Sequence, residues 1–144
     1  MIELQFNLDV DDDWPPVPVE VLPCIAEAGG YKVTVAPLFI KDLSAGDTIS
    51  VVRDSAGHVT SWKHITKSRR STIWLLRLED IDHLDEVLAE LRLLNCNTIK
   101  LPQFGCYAID VPPECPIGRV DECLARLDNS QVAIAYPSLR HQDN

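Results

Sequence analysis

The chain has 144 residues, of which 46% are hydrophobic and 24% are charged, and its formal net charge is −9. This composition is typical of a globular protein with room for one domain or for two small lobes that share a core. The excess of acids argues against nucleic acid as a partner and favours a basic one. No apolar run approaches the ~18 residues that span a membrane, and no basic signal segment begins the chain, so we expect a cytoplasmic protein without a membrane partner.

The charge is distributed unevenly along the chain. Residues 1–60 carry a net charge of −7, residues 61–78 carry +5 without any acid, and residues 79–144 carry −7. Both ends of the chain are therefore predicted to present acidic surfaces, with one basic stretch between them.

The first 66 residues are predicted to form short antiparallel strands. Apolar and polar residues alternate over 2–8 and 31–35, and the runs 48–52 and 58–65 flank a turn that contains Gly57. The stretch Pro16–Cys24 is interrupted by prolines, which predicts an edge strand or an extended wrap rather than a central strand. Several short strands in ~65 residues indicate a small barrel-like antiparallel β sheet, assigned to residues 1–66.

Residues 67–144 are predicted to form a second lobe of the α+β class. The nearly continuous apolar run 71–78 is typical of a strand that is covered on both faces. Two helices show apolar residues at helical spacing, the first with Asp82 as its expected cap and the second beginning near Ile117. With further strands near 98–101, 106–111 and 132–136, the order is β-α-β-β-α-β, which is typical of a ferredoxin-like lobe.

No pattern of residues typical of catalysis appears. The five cysteines include no CxxC pair and are odd in number, which predicts reduced thiols rather than disulfides or a zinc site. The four histidines lack metal-ligand spacing, the serines near His64 lack a nucleophile elbow, and no glycine-rich phosphate loop is present. The sequence thus predicts no catalytic residue, no metal and no cofactor, and a protein that is not an enzyme.

The segment "DVDDDWPP" (9–16) packs four carboxylates into five positions before a tryptophan and two prolines. Its carboxylates match a calcium loop at positions one, three, five and twelve, but position six, which requires positive φ, is Trp14, and two stiff prolines follow. Two interpretations remain: a solvated acidic turn, or a docking surface in which an aromatic anchor lies beside steering carboxylates. For the second, the candidate partner-binding residues are Asp9, Asp11, Asp12, Asp13, Trp14 and Glu20.

The basic stretch 62–72 is the other candidate site. Such a stretch is most often a basic connector that pairs with acids of its own chain; the alternative is a site where its cations and hydroxyls hold an anionic ligand by charge-assisted hydrogen bonds. The candidate anion-binding residues are Lys63, Lys67, Arg69 and Arg70.

An ordered series of landmarks runs along nearly the whole chain: "DWPPVPVE", "GGYKVTVAPLF", "LSAGDTISVVRD", "KSRRSTIWL" and "IDVPP". The most specific are W-P-P-x-x-x-E, "PLF" (37–39) and Ala45-Gly46-Asp47. This series resembles the bacterial family called domain of unknown function 4265. Arg69 and Arg70 stand where the family usually carries a small Ser-Gly-like pair. The resemblance implies a two-lobed fold and supplies no catalytic residue.

These features together lead to two expected functions. The first is an acidic binding protein, most concretely an immunity-type inhibitor that occludes the active cleft of a basic bacterial toxin, since an acidic surface mimics the phosphates that such a cleft attracts. The alternative is a regulatory module that binds an anionic ligand at the basic junction Lys63–Arg70.

Overall fold

The computed structural model describes residues 1–81 and 83–141, and the first five strands form a closed barrel. Each strand pairs antiparallel with the next, and the parallel contact between Phe6 of the first strand and Val59 of the fifth closes the ring. The sequence did not predict this parallel closure. The strands are β1 (Ile2–Asn7), β2 (Val19–Glu27), β3 (Gly30–Val33), β4 (Thr48–Arg53) and β5 (Val59–Thr66).

The barrel interior explains the alternating pattern of β1. Leu4 and Phe6 are buried, and the polar residues between them point outward, because successive side chains of a strand lie on opposite faces. Gly57 adopts φ 86° in the β4–β5 hairpin, as its place in the sequence predicts.

The prediction for β2 was wrong: this strand pairs on both sides, with β1 and with β3. Pro23 is tolerated because the N and O atoms of a strand residue point to the same side. The carbonyl of Pro23 accepts a hydrogen bond from the N–H of Thr34, one residue beyond the end of β3. The N–H that proline lacks would therefore point toward β3, at the end of the β2–β3 hydrogen-bond ladder.

The second half of the chain forms a four-stranded sheet with two helices, so the protein is mostly β with an α+β second lobe. The strands lie in the order β7-β8-β6-β9, and all neighbours are antiparallel. No helix in 1–81 or 83–141 is long and apolar enough to cross a membrane. The elements are β6 (Ser71–Arg77), α1 (Leu84–Leu93), β7 (Asn97–Leu101), β8 (Cys106–Val111), α2 (Ile117–Leu124) and β9 (Val132–Ser138).

Both helices pack on one face of this sheet. Their apolar stripes, including Leu88 and Val120, join Ile73 and Ile109 of the central strands in a buried core. The expected cap Asp82 lies outside the described residues, and His83 precedes α1 without a side-chain hydrogen bond to it. The opposite face of the sheet is turned toward the barrel.

The connection between β3 and β4 (34–47) joins the barrel to this second face. The indole N–H of Trp74 donates to the carbonyl of Pro37 over 2.8 Å. The N–H of Asp42 donates to the carbonyl of Pro137 over 2.9 Å. Residues 34–47 thus connect the barrel to the sheet by hydrogen bonds. The predicted boundary between residues 66 and 67 places this segment in the first lobe.

Candidate functional site: an acidic turn beside an apolar cleft

The acidic segment forms a tight two-residue turn. The backbones of Asp11 and Trp14 exchange two hydrogen bonds, of 2.9 and 3.0 Å, and the central residues Asp12 and Asp13 have φ of 53° and 61°. Positive φ at both central positions is the geometry of a type I′ turn, which aspartate and asparagine tolerate better than most residues. Asp9 and these three aspartates are exposed, so the turn holds a dense group of carboxylates in water.

Trp14 links this turn to an apolar cleft between the barrel and the second face of the sheet. Its side chain is 48% exposed, and its ring stands edge-on to Phe39 with 6.0 Å between centroids. The cleft measures about 250 Å³. Its walls include Trp14, Leu38 and Phe39 on the barrel side and Trp74, Leu76, Cys106, Ala133 and Ala135 on the sheet side.

Glu20 does not belong to this exposed surface, contrary to the expectation from the sequence. Its side chain faces the barrel interior, with 8% exposed, because it shares a face of β2 with the core residue Leu22. Its carboxylate accepts hydrogen bonds from the backbone N–H groups of Leu38 (2.6 Å) and Phe39 (3.0 Å). Glu20 therefore acts on the candidate site indirectly, by holding one wall of the cleft.

Burial raises the pKa of Glu20 to about 7, although the two backbone hydrogen bonds favour the ionised form. Desolvation dominates because a carboxylate in an apolar interior loses more hydration than two amide donors replace. The group that positions the cleft wall thus titrates near neutral pH.

A buried polar cluster lies at the centre of the junction, around Asp47. The side chain of Asp47 is completely buried and accepts five hydrogen bonds from described residues. The bonds come from Arg140 (2.7 and 2.9 Å), the backbone N–H groups of Ser68 (2.8 Å) and Ser44 (3.0 Å), and His64 (2.9 Å). The cluster joins the barrel, the β5–β6 connection and the segment after β9.

Burial alone raises the pKa of Asp47, but the donors around it, Arg140 first among them, hold the pKa below its usual value. Asp47 therefore carries a negative charge that Arg140 balances inside the protein. The buried carboxylate of Asp47 and its donors satisfy one another, which marks the cluster as a structural clamp, although Arg140 also borders a cavity.

The four candidate anion-binding residues do not form one site. Arg70 is committed to a two-pronged ion pair with Asp110 (2.8 and 3.0 Å), and Lys67 lies 3.5 Å from Asp42. Lys63 is exposed on β5. Arg69 lines a cavity of about 700 Å³ beside the start of α2, together with Arg140 and His141.

All five cysteines are free thiols. Burial raises the pKa of Cys24 to about 11, which keeps that thiol protonated and unreactive at neutral pH. Non-reducing mass spectrometry, which should give the mass of five free cysteines, tests the expectation of reduced thiols.

A family model for "Domain of unknown function (DUF4265)" matches residues 21–134. The chain belongs to this family. The matched region includes Asp47 of the buried cluster and begins after the Trp14–Glu20 element, so the acidic turn lies outside it. Among curated proteins, none matches this DUF4265 protein.

The fold of this DUF4265 protein is shared with a solved structure described as "Novel crystal structure of a hypothetical protein from Neisseria gonorrhoeae". The two chains are 16% identical, each is covered over 99% of its length, and the TM-score is 0.75. The likeness at this identity concerns the fold alone, and it extends across both lobes.

The acidic segment was recognisable in the sequence, whereas the cleft and the Asp47 cluster were not. Leu38, Phe39 and Asp47 stand in two of the family landmarks, "PLF" and Ala45-Gly46-Asp47, which was the available signal. Arg140 carries no such signal, because its contact with Asp47 spans 93 residues of sequence.

Proposed function

We propose that this protein binds and neutralises a basic partner, as an immunity-type inhibitor of a bacterial toxin acting in the cytoplasm. The observation that carries the proposal is the half-exposed Trp14, presented by a rigid acidic turn at the rim of an apolar cleft. Aromatic anchors beside a pocket are typical of residues that dominate binding energy, and they lose little conformational entropy on docking.

The charge distribution supports the same function. Residues 1–60 and 79–144 each carry a net charge of −7, whereas the basic residues between them are partly paired with carboxylates of the chain itself, as in Arg70–Asp110. A toxin that attacks nucleic acid has a cationic cleft for phosphates. The carboxylates of Asp11, Asp12 and Asp13 would occupy that cleft while Trp14 anchors the complex, and the field would accelerate the encounter.

We also propose that the second lobe is ferredoxin-like. The strand order β7-β8-β6-β9, the antiparallel pairing and the two helices on one face support this assignment. In that arrangement the helices leave one face of the sheet uncovered. In this protein that face forms the floor of the cleft.

Growth rescue tests the function directly. Protein domains of net positive charge from the reading frames that flank this one are expressed in a bacterium, one at a time, with and without this protein. We expect one domain to stop growth alone and to be tolerated when this protein is present. If none of the toxic domains is neutralised, the inhibitor proposal is rejected.

Replacing Asp11, Asp12 and Asp13 together by asparagine should slow association with the rescued toxin domain several-fold at low ionic strength. Asparagine keeps the positive-φ turn, so the fold is retained while three steering charges are removed. The difference should shrink with added salt, since screening removes steering. Stopped-flow binding measures it.

A matched control removes three exposed carboxylates from the helices instead, by Asp85→Asn, Glu86→Gln and Glu122→Gln. The net charge changes equally, so an equal slowing in both triple variants would show that total charge, rather than the turn, steers the partner.

Trp14→Ala should increase the dissociation rate of the same complex at least tenfold and change folding stability little. The ring is half exposed, so its loss removes less buried area than a core aromatic does. Phe104→Ala is the control, since Phe104 is similarly exposed (43%) and does not line the cleft. Surface plasmon resonance with a melting curve separates the two effects. Wild-type dissociation combined with a large loss of melting temperature would identify Trp14 as a core residue instead.

The cavity at Arg69 supports the alternative, a module that binds an anionic ligand. Among the predicted cations only Arg69 lines it, next to the start of α2. Thermal-shift measurements with inorganic phosphate and nucleotides discriminate between the functions: a rise of several degrees that Arg69→Ala abolishes would favour the ligand-binding module.

A further inference from the structure

The two edges of the four-stranded sheet differ in how they are protected. Proteins usually guard an edge strand with charged residues or cover it, because its free N–H and C=O groups pair with other chains. At the β7 edge, Lys100 supplies a charge and the hydroxyl of Thr98 accepts a hydrogen bond from Arg92. At the β9 edge, no charged residue occurs between Asn129 and Leu139.

The side chains of β9 divide between the two faces of the sheet. Val132 and Ile134 pack on the helix side. Ala133 and Ala135 are exposed on the cleft side, in register with Leu76 and Trp74 of β6. These small, exposed side chains leave the cleft side of β9 uncovered at Ala133 and Ala135.

One end of β9 already accepts a hydrogen bond from a segment outside the sheet, since the N–H of Asp42 donates to the carbonyl of Pro137. Within 1–81 and 83–141, the only strand that pairs with Val132–Tyr136 is β6. Five residues of edge strand therefore remain open beside the cleft.

The surroundings of this edge are acidic. The turn with Asp11, Asp12 and Asp13 lies next to Trp14 at the cleft, and at the other side Asp121 accepts a hydrogen bond from the hydroxyl of Tyr136 over 3.3 Å. An approaching extended segment would thus meet an uncharged backbone edge flanked by carboxylates, which complements a strand with basic residues at alternate positions.

We propose that β9 is the docking edge for a basic, extended segment of the partner, which adds to the sheet as a fifth strand. The inference rests on the proposed function and names how the partner binds. The added strand lies about 4.8 Å beyond β9, and its alternate side chains point to opposite faces. Apolar side chains on one face enter the cleft beside Trp14, and basic side chains on the other face point to the helix side, where Asp121 lies beside Tyr136.

A peptide with alternating lysine and valine, nine residues long and capped at both ends, tests the binding mode. In a titration followed by NMR, amide signals of Val132–Tyr136 and the indole signal of Trp14 should shift together and saturate. The same peptide with every amide N-methylated keeps its charges and loses its strand donors, so it should shift the β9 signals at least tenfold less. Equal shifts with both peptides, or shifts confined to Asp11–Asp13, would overturn strand addition.

Protein variants make the test independent of the peptide sequence. Ala133→Arg places a bulky cation on the cleft side of the edge and should weaken binding of the lysine–valine peptide at least tenfold. Ala26→Arg adds the same charge at an exposed position of β2 and should leave binding unchanged. If both variants weaken peptide binding equally, the effect depends only on net charge and the proposal is rejected.

The rescued toxin domain distinguishes this inference from the function on which it rests. If that domain binds Ala133→Arg as tightly as wild type but loses affinity for Trp14→Ala, the inhibitor function stands and strand addition is rejected. Sedimentation of the protein without a partner tests whether a second copy of the chain binds at β9. A dimer that Ala133→Arg converts to a monomer would show that a second copy occupies β9, which also overturns the proposal.

Discussion

Asp47→Asn should lower the free energy of unfolding by about 3–5 kcal/mol, the usual cost of removing one partner from a buried ion pair. Arg140, whose side chain is only 11% exposed, would keep its charge and lose both short contacts with a buried carboxylate, leaving only the exposed Asp42 at 3.9 Å. The asparagine NH₂ group would also face donors where the carboxylate oxygens now accept five hydrogen bonds. For a chain of this length the melting temperature should fall by roughly 10–15 °C.

Asp54→Asn is the matched control for this substitution. Asp54 also accepts backbone hydrogen bonds, from the N–H groups of Ala56 and His58, but it lies in the exposed β4–β5 turn. Its replacement should cost much less than that of Asp47. Urea denaturation of both variants measures the difference, and equal losses would show that burial of the Asp47–Arg140 pair contributes nothing beyond ordinary turn hydrogen bonds.

The double variant Asp47→Asn with Arg140→Met examines the origin of the loss. Removing both charges leaves no uncompensated ion, so the double variant should be more stable than Asp47→Asn alone. This recovery distinguishes an unbalanced charge from a general disturbance of the junction.

Local sequence patterns were sufficient to predict the elements whose burial follows a regular pattern along the chain. Strict alternation predicts β1 because one face meets the barrel interior. The continuous apolar run predicts β6 because helices cover that strand on one side and the 34–47 connection covers part of the other. Gly57 was predictable for the same reason: a tight hairpin requires positive φ at a definite position.

Pairings between distant segments were not predictable from such patterns. β2 was assigned to an edge because of its prolines, and only its register with β1 and the short β3 explains why Pro23 is tolerated between two neighbours. The parallel contact of β1 with β5 has no local signature either. Barrel closure depends on the combined twist and stagger of all five strands.

The candidate site likewise combines features that the sequence predicts with features that depend on contacts between distant segments. The exposed carboxylates and Trp14 were found because charge density and an isolated aromatic are visible in the sequence. The cleft was not found, since its walls come from the barrel connection and from three strands of the other lobe. Glu20 was misassigned to the surface because its polar type suggests exposure, whereas its phase on β2 places it beside Leu22 in the interior.

The free energy of unfolding should depend on pH through Glu20, and Glu20→Gln should remove that dependence. In the folded protein the pKa is about 7, and in the unfolded chain it returns to about 4.5. Between these values the folded state binds the proton more tightly, so stability falls as pH rises from about 4.5 to about 7 and then levels off. The shift corresponds to about 3 kcal/mol.

Subtracting the unfolding free energy of Glu20→Gln from that of the wild type at each pH cancels the titration of all other groups. This difference should decrease by about 2.5 kcal/mol between pH 5 and pH 8, measured by urea denaturation at four pH values. As a control, Glu27→Gln removes an exposed carboxylate from the same strand. Comparing the pH dependence of the unfolding free energy in the two variants isolates the contribution of burial. A wild-type-minus-Gln difference that stays constant over this range would mean that water reaches the Glu20 carboxylate. The hydrogen bonds to Leu38 and Phe39 would then not hold the cleft wall in the way the structure shows.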